Sequence, residues 1–97
     1  MHVNAHPHIV HDETNHQFIA TVNGDQAYLA YTVSSNEVLD FRSTFVPVKL
    51  RGQHIGQDIV EYALEYAKTN QFKIIPTCSF VRWIIRNNPQ YEDLVKS

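Results

Sequence analysis

One cysteine in 97 residues excludes an internal disulfide, so nothing in the sequence asks for an oxidising compartment. No apolar run approaches the ~20 residues that a membrane-spanning helix needs, and none therefore points to insertion in a bilayer. The start Met1-His2-Val3-Asn4 has neither a basic segment nor an apolar signal core. The expectation is a chain that is not exported and works in the cytoplasm. Positive charge is scarce as well: 8 Lys and Arg stand against 10 Asp and Glu, for a net charge of −2. They form no basic stripe, which excludes the electrostatic footprint of a nucleic-acid partner. Glycine is rarer still, with 3 in the whole chain, so each one draws notice. The length suits one small domain with one core.

What is present divides into two patterns. Residues 1–15 are rich in His, Asn and acidic residues, broken by Pro7, and read as a flexible lead-in to a domain spanning 16–97. His2, His6, His8 and His11 are close in sequence. They lack the cysteine or carboxylate partners that would complete a metal-binding spacing, so no metal is expected. Phe18 to Val22, Asn23-Gly24-Asp25 and Gln26 to Val33 read as a hairpin, because Asn-Gly favours a tight primed turn. After a turn at Ser34-Ser35-Asn36, Leu39, Phe41, Ser43 and Phe45 alternate with Asp40, Arg42, Thr44 and Val46 as a third strand. Pro47 ends it.

From Ile55 the period changes. Ile55, Ile59, Val60, Ala63, Leu64 and Ala67 fall on one face at helical spacing, opposite Gln57, Asp58, Glu61, Glu65 and Lys68. Phe72 to Pro76 is a short, buried, parallel strand. Phe80 to Arg86 is a second helix, stopped at Asn87-Asn88-Pro89, and Tyr91 to Val95 is at most a short terminal helix. The predicted class is α+β: a mostly antiparallel sheet of about four strands, two main helices, and a strand, loop and helix suited to an anionic ligand.

That loop is Leu50-Arg51-Gly52-Gln53-His54-Ile55-Gly56. The first amides of a helix lack partners and the aligned peptide dipoles favour negative charge, while Gly52 and Gly56 remove side chains from the approach. Read on residues alone, glycines before a helix are as well explained by turn and packing needs. Arg51 first, Ile55 in an apolar place and Gly56 last fit the signature Gln/Arg-x-x-Gly-x-Gly/Ala. The stretches Phe45-Val46-Pro47, Pro76-Thr77-Cys78-Ser79-Phe80-Val81 and Asn88-Pro89-Gln90-Tyr91 extend the match over about residues 17 to 95. On these residues the chain resembles the GNAT superfamily of acyltransferases, and within it the small single-domain YjdJ-like branch.

The resemblance implies an acetyl-CoA-dependent N-acetyltransferase in which an amine attacks the thioester directly. It assigns the cosubstrate site to Phe45, Val46, Arg51, Gly52, Gln53, His54, Ile55, Gly56 and Gln57. A backbone amide near Phe45 or Val46 would polarise the acyl carbonyl. Cys78, at the start of the second helix, is the catalytic candidate as base or acyl acceptor, against the alternative of a small buried hydrophobe. The chain departs from the pattern at His54, where the signature has glycine, and at Ser43 and Asn88, where relatives often carry histidine. A domain that binds CoA without transfer, or a protein-interaction module, is the rival expectation. Lys49 is a further phosphate candidate, Arg82 and Arg86 could reach the adenosine end or form a polar helix face, and Glu37 and Asp40 are conceivable bases. Trp83, Phe80 and Tyr91 read mainly as packing. The partners expected are acetyl-CoA and an amine acceptor, with a homodimer as one way for so short a chain to complete an acceptor site.

Overall fold

The computed structural model describes residues 8–96. Five strands form one sheet: β1 (His8–Asp12), β2 (Gln17–Val22), β3 (Asp25–Ser35), β4 (Val38–Phe45) and β5 (Lys73–Ile75). They lie side by side in chain order. β1 to β4 pair antiparallel and β5 runs parallel to β4. Helix α1 (Ile55–Thr69) makes the crossover that a parallel neighbour requires, and α2 (Ser79–Asn87) follows β5. Short 3-10 helices occupy Val48–Leu50 and Pro89–Leu94. Beyond the second, Val95 forms a parallel bridge to Ile74. The α+β class, the antiparallel majority and the two main helices agree with expectation.

The local reasons are those the sequence offers. Asn23 and Gly24 take φ of +51° and +84°, the left-handed conformation that a two-residue primed turn demands. The register Val22↔Asp25 closes the hairpin directly around them. In α1 every residue of the expected apolar face is buried: Ile55, Ile59, Val60, Ala63, Leu64 and Ala67, each at 4% exposure or less. They pack with Phe18, Leu29, Tyr31, Phe41 and Ile74 of the sheet and Val81, Ile84 and Ile85 of α2 in one cluster. Both helices therefore cover the same face. At the far end the buried Tyr91 donates its hydroxyl to Glu65 of α1 at 2.8 Å.

Two expectations are corrected. The sheet has five strands rather than about four, because His8–Asp12, taken with residues 1–15 as a flexible lead-in, pairs with β2 from His8↔Thr21 to Asp12↔Gln17. The gain comes from Ile9 and His11, which this register turns toward the helices. The rest of that expectation, for residues 1–7 with His2 and His6, lies outside the described residues. The second correction concerns β4. Tyr31 opposes Phe41 but Ala30 opposes Ser43, so Arg42 is an extra residue, a one-residue bulge. An extra residue reverses the alternation beyond it. Leu39 and Phe41 face the core as read, but past the bulge Thr44 and Val46 face inward and Ser43 and Phe45 outward.

His11 closes the core under β1. Its ring stacks on Phe18 at 4.1 Å and meets Tyr66 edge-on at 4.5 Å, and its Nε2 lies 2.6 Å from the Tyr31 hydroxyl. Burial pushes the Tyr31 phenol up to about 12, so it keeps its proton and the contact is a hydrogen bond between neutral groups whose direction follows the imidazole tautomer. Burial also lowers the His11 pKa below 6.5, partly opposed by Glu13 and Asp12 and helped by His16. A base with a depressed folded pKa leaves stability intact above its unfolded value and removes it as pH falls through the window below that value. The melting temperature is thus expected to hold from about pH 7.5 to 6.5 and decline toward pH 5.5. His11→Gln should flatten that decline, and an unchanged slope would count against His11 as its source.

Candidate functional site

β4 and β5 pair only at Val38↔Lys73, Leu39↔Ile74 and Asp40↔Ile75. One further bond, Cys78 N–H to the Phe41 carbonyl at 2.9 Å, continues the ladder. Beyond it the bulge and Pro76 part the strands, leaving a gap bounded by Thr44 and Val46 on one side and by Cys78 and Phe80 on the other. Phe41 directs its carbonyl to this side. Counting past the single extra residue, Thr44 is the next whose amide does so, whereas Phe45 pairs toward β3 opposite Tyr28. Asp40 sits at the inner end, accepting from the Thr77 hydroxyl at 2.5 Å and from Arg42 at 3.2 Å. The Thr77 bond ties β4 to the turn after β5 where their ladder stops, and the Arg42 bond, within β4, holds the carboxylate in place.

The gap widens into a groove of about 320 Å³ lined by Val46, Leu50, Arg51, Gly52, His54, Ile55, Gly56, Gln57, Phe80 and Trp83. Its floor is the N-terminus of α1. The first bond within that helix runs from Asp58 N–H to the His54 carbonyl, so the amides of Ile55, Gly56 and Gln57 have no partner in the helix. A Cβ built on Gly56 would stand 3.2 Å from Val46 Cγ2 and 3.3 Å from Phe80 Cε2. Glycine here lets α1, β4 and α2 converge. Gly52 serves differently: its φ is +80° and nothing lies within 4 Å of an added Cβ, so it answers a backbone need alone.

Of the loop residues expected to hold a ligand, seven line this groove: Val46, Arg51, Gly52, His54, Ile55, Gly56 and Gln57. Arg51 donates Nε to the Val46 carbonyl at 3.0 Å, which fixes its guanidinium across the loop. His54 is the helix N-cap at φ +63°, a left-handed conformation held by an L-residue, and its Nδ1 meets Gln57 Oε1. Gln53 is placed outside, its amide on the Lys49 carbonyl at 3.2 Å. Phe45 is outside as well, 45% exposed on the opposite face of the sheet, because of the reversed alternation past Arg42. Cys78 is the partly buried N-cap of α2. Its Sγ lies 3.5 Å from Thr44 Oγ1 across the inner gap, and either atom can donate.

Two aromatic residues read mainly as packing are instead a wall of the groove. Phe80 and Trp83 stack at 6.2 Å and 12°, and Trp83 is 47% exposed. Their i, i+3 spacing with Asn87 one turn on was the available signal. Arg82 and Arg86 lie on another flank of α2, in a separate depression with Pro76, Ile85, Glu92 and Val95. Arg82 is occupied there by the carbonyls of Pro76 and Thr77, at 3.1 and 2.9 Å. Ser43 is exposed, and Asn88 caps α2 by donating to the Ile84 carbonyl at 2.8 Å. Among the described residues no three His, Cys, Asp or Glu side chains come together as metal ligands, and no helix is long and apolar enough to cross a membrane.

A strand that splays from its parallel neighbour, an amide-lined helix start and a flat aromatic wall together suit a long, thin, anionic ligand with an apolar arm. Comparison with known proteins identifies the family. A family model described as GCN5-related N-acetyl-transferase matches residues 17–94. The NMR solution structure of a GCN5-like protein from Staphylococcus aureus, whose N-acetyltransferase activity is itself an assignment, superposes with a TM-score of 0.72 at 25% identity. The match covers 96% of this chain and 91% of that one.

Proposed function

The chain belongs to the GCN5-related N-acetyltransferase family, and from that premise we propose that it transfers the acetyl group of acetyl-CoA to an amine acceptor, in a reducing, cytoplasmic setting. The observation that carries this reading is the groove itself, with three unpartnered amides of α1 at one end and the β4–β5 gap at the other. The pyrophosphate is held by the amides of Ile55, Gly56 and Gln57, with Arg51 adding charge. The pantetheine arm passes between Val46 and the Phe80–Trp83 wall. The thioester carbonyl reaches the inner gap, where the amide of Thr44, on the same side of β4 as Val46 and opposite to Phe45, is the oxyanion donor.

In this mechanism the amine nitrogen bonds to the acyl carbon, the C–S bond breaks, and CoA leaves as a thiolate. One proton must move from the new ammonium to that thiolate. The Cys78 thiol and Thr44 hydroxyl, in mutual contact, pass it on. Release of CoA thiol from acetyl-CoA on addition of a panel of primary amines tests the proposal. Saturable binding of acetyl-CoA without amine-dependent thiol release would favour a CoA-binding module that has lost transfer, and absence of binding would end both readings.

His54 supplies a separate prediction. Glycine at this position would relieve about 1 kcal/mol of left-handed strain while adding a comparable unfolded-state entropy. His54→Gly should therefore leave the melting temperature nearly unchanged but clear a ring from the groove. Acetyl-CoA is expected to bind several-fold more tightly in a calorimetric titration; weaker binding would show that the His54–Gln57 pair itself holds the ligand.

A further inference from the structure

The face of the sheet opposite the helices is bare among the described residues, and its composition is unusual for a wetted surface. Pairing sets Val10, Ile19, Tyr28 and Phe45 directly opposite one another across β1 to β4. They make one apolar row, with Val10 46% and Phe45 45% exposed and the Tyr28 and Phe45 rings 5.5 Å apart. On one side lie His8, Thr21 and Gln26, on the other Asp12, Gln17, Ala30 and Ser43. A further row holds Thr32 and Asp40, whose carboxylate is already paired with Arg42. No lysine or glutamate points from these rows. The charges on this face stand at its margin, at Asp12, whose carboxylate accepts from Asn15, and in the Asp40–Arg42 pair; the central row carries none. An apolar centre within a polar rim is the layout of an interface rather than of a solvated sheet face.

We propose that this face docks a second copy of the chain, sheet against sheet about a two-fold axis. A two-fold contact sets the residues on its axis against their own counterparts, so a lysine or glutamate in the central row would meet like charge there. The row from Val10 to Phe45 has neither, which makes the centre of this face self-compatible. The size fits as well. Four strands about 4.8 Å apart and about seven residues long at about 3.4 Å each span about 19 by 24 Å. Two such faces cover about 900 Å², the class of weak, reversible association. Phe45 adjoins Val46 of the groove, so the docked copy borders the mouth of the gap. The contact itself stands apart from the transferase reading, since nothing in it depends on a bound ligand.

Sedimentation velocity from micromolar to millimolar protein tests this, with wild type beside the double variant Val10→Lys, Ile19→Lys. Neither residue lines the groove. The wild type should pass from monomer to dimer mass across that range, and the variant should stay monomeric, its dissociation constant raised about tenfold or more. Equal melting temperatures at micromolar protein establish that the variant is folded; should it not be, Val10→Lys alone on the edge strand is read in its place. A wild type that is monomeric at millimolar concentration overturns the proposal. So does a dimer that survives the lysines, as one formed edge to edge through β1 would.

Discussion

Gly56→Glu is expected to abolish the rise in melting temperature that saturating acetyl-CoA produces in the wild-type chain. A ligand at about a hundred times its dissociation constant stabilises by about 2.7 kcal/mol, which in a domain of this size is on the order of 10 °C. At Gly56 even a methyl would stand 3.2 Å from Val46 and 3.3 Å from Phe80, so a glutamate must push into the groove. Its carboxylate would then face the amides proposed for the pyrophosphate. Gln57→Glu is the companion, adding the charge in nearly the same volume, and should weaken binding about tenfold. Wild-type affinity in Gly56→Glu would sink the site. A loss in Gly56→Glu with no effect in Gln57→Glu would assign the cause to packing of α1 against α2 rather than to charge.

Cys78→Ala should keep the acetyl-CoA shift and lose about a hundredfold in amine-dependent thiol release, the ordinary scale of a missing proton-transfer group. The separation follows from position. Cys78 lies at the inner gap against Thr44 and is absent from the groove lining, so its removal touches chemistry before binding. Thr44→Val should reproduce most of the loss if the two act as one relay, because valine keeps the shape and deletes the hydroxyl. Undiminished release in Cys78→Ala would confine the thiol to packing. Loss in Cys78→Ala alone would leave Thr44 out of the proton path.

What the residues disclosed depended on how far a pattern extends along the chain. The buried face of α1 was legible whole, since about four turns of phase information repeat within one segment and Leu50 to Gly56 mark its start. The Asn23-Gly24 hairpin was legible for a local reason, the dihedrals its turn requires. β1 was not, because His8-Ile9-Val10-His11-Asp12 offers two apolar inward or outward choices and no length. Only the partner β2 decides that it is a strand. The bulge at Arg42 was hidden for a related reason: an alternating sequence continues through it, and the change of phase exists only relative to β3. That single residue moved Phe45 out of the expected site and turned Thr44 into it. Phe80 and Trp83 misled in the other direction, since an aromatic on an amphipathic helix reads the same whether it meets a core or lines an open groove. The row from Val10 to Phe45 takes one residue from each of four strands and appears in no window of sequence.

The order of the strands in space is their order in the chain, and this governs how the molecule can be made. No strand has to wait for a distant segment to supply its neighbour, so each hairpin can close on the one before it as synthesis proceeds. The groove has a different history. Its loop and the start of α1 lie in mid-chain, but Phe80 and Trp83 arrive only after β5 has been threaded in parallel through the α1 crossover, the slowest kind of pairing in the sheet. A nascent chain released before α2 would hold a finished antiparallel meander with no second wall for a ligand, so binding competence is the last property this fold acquires.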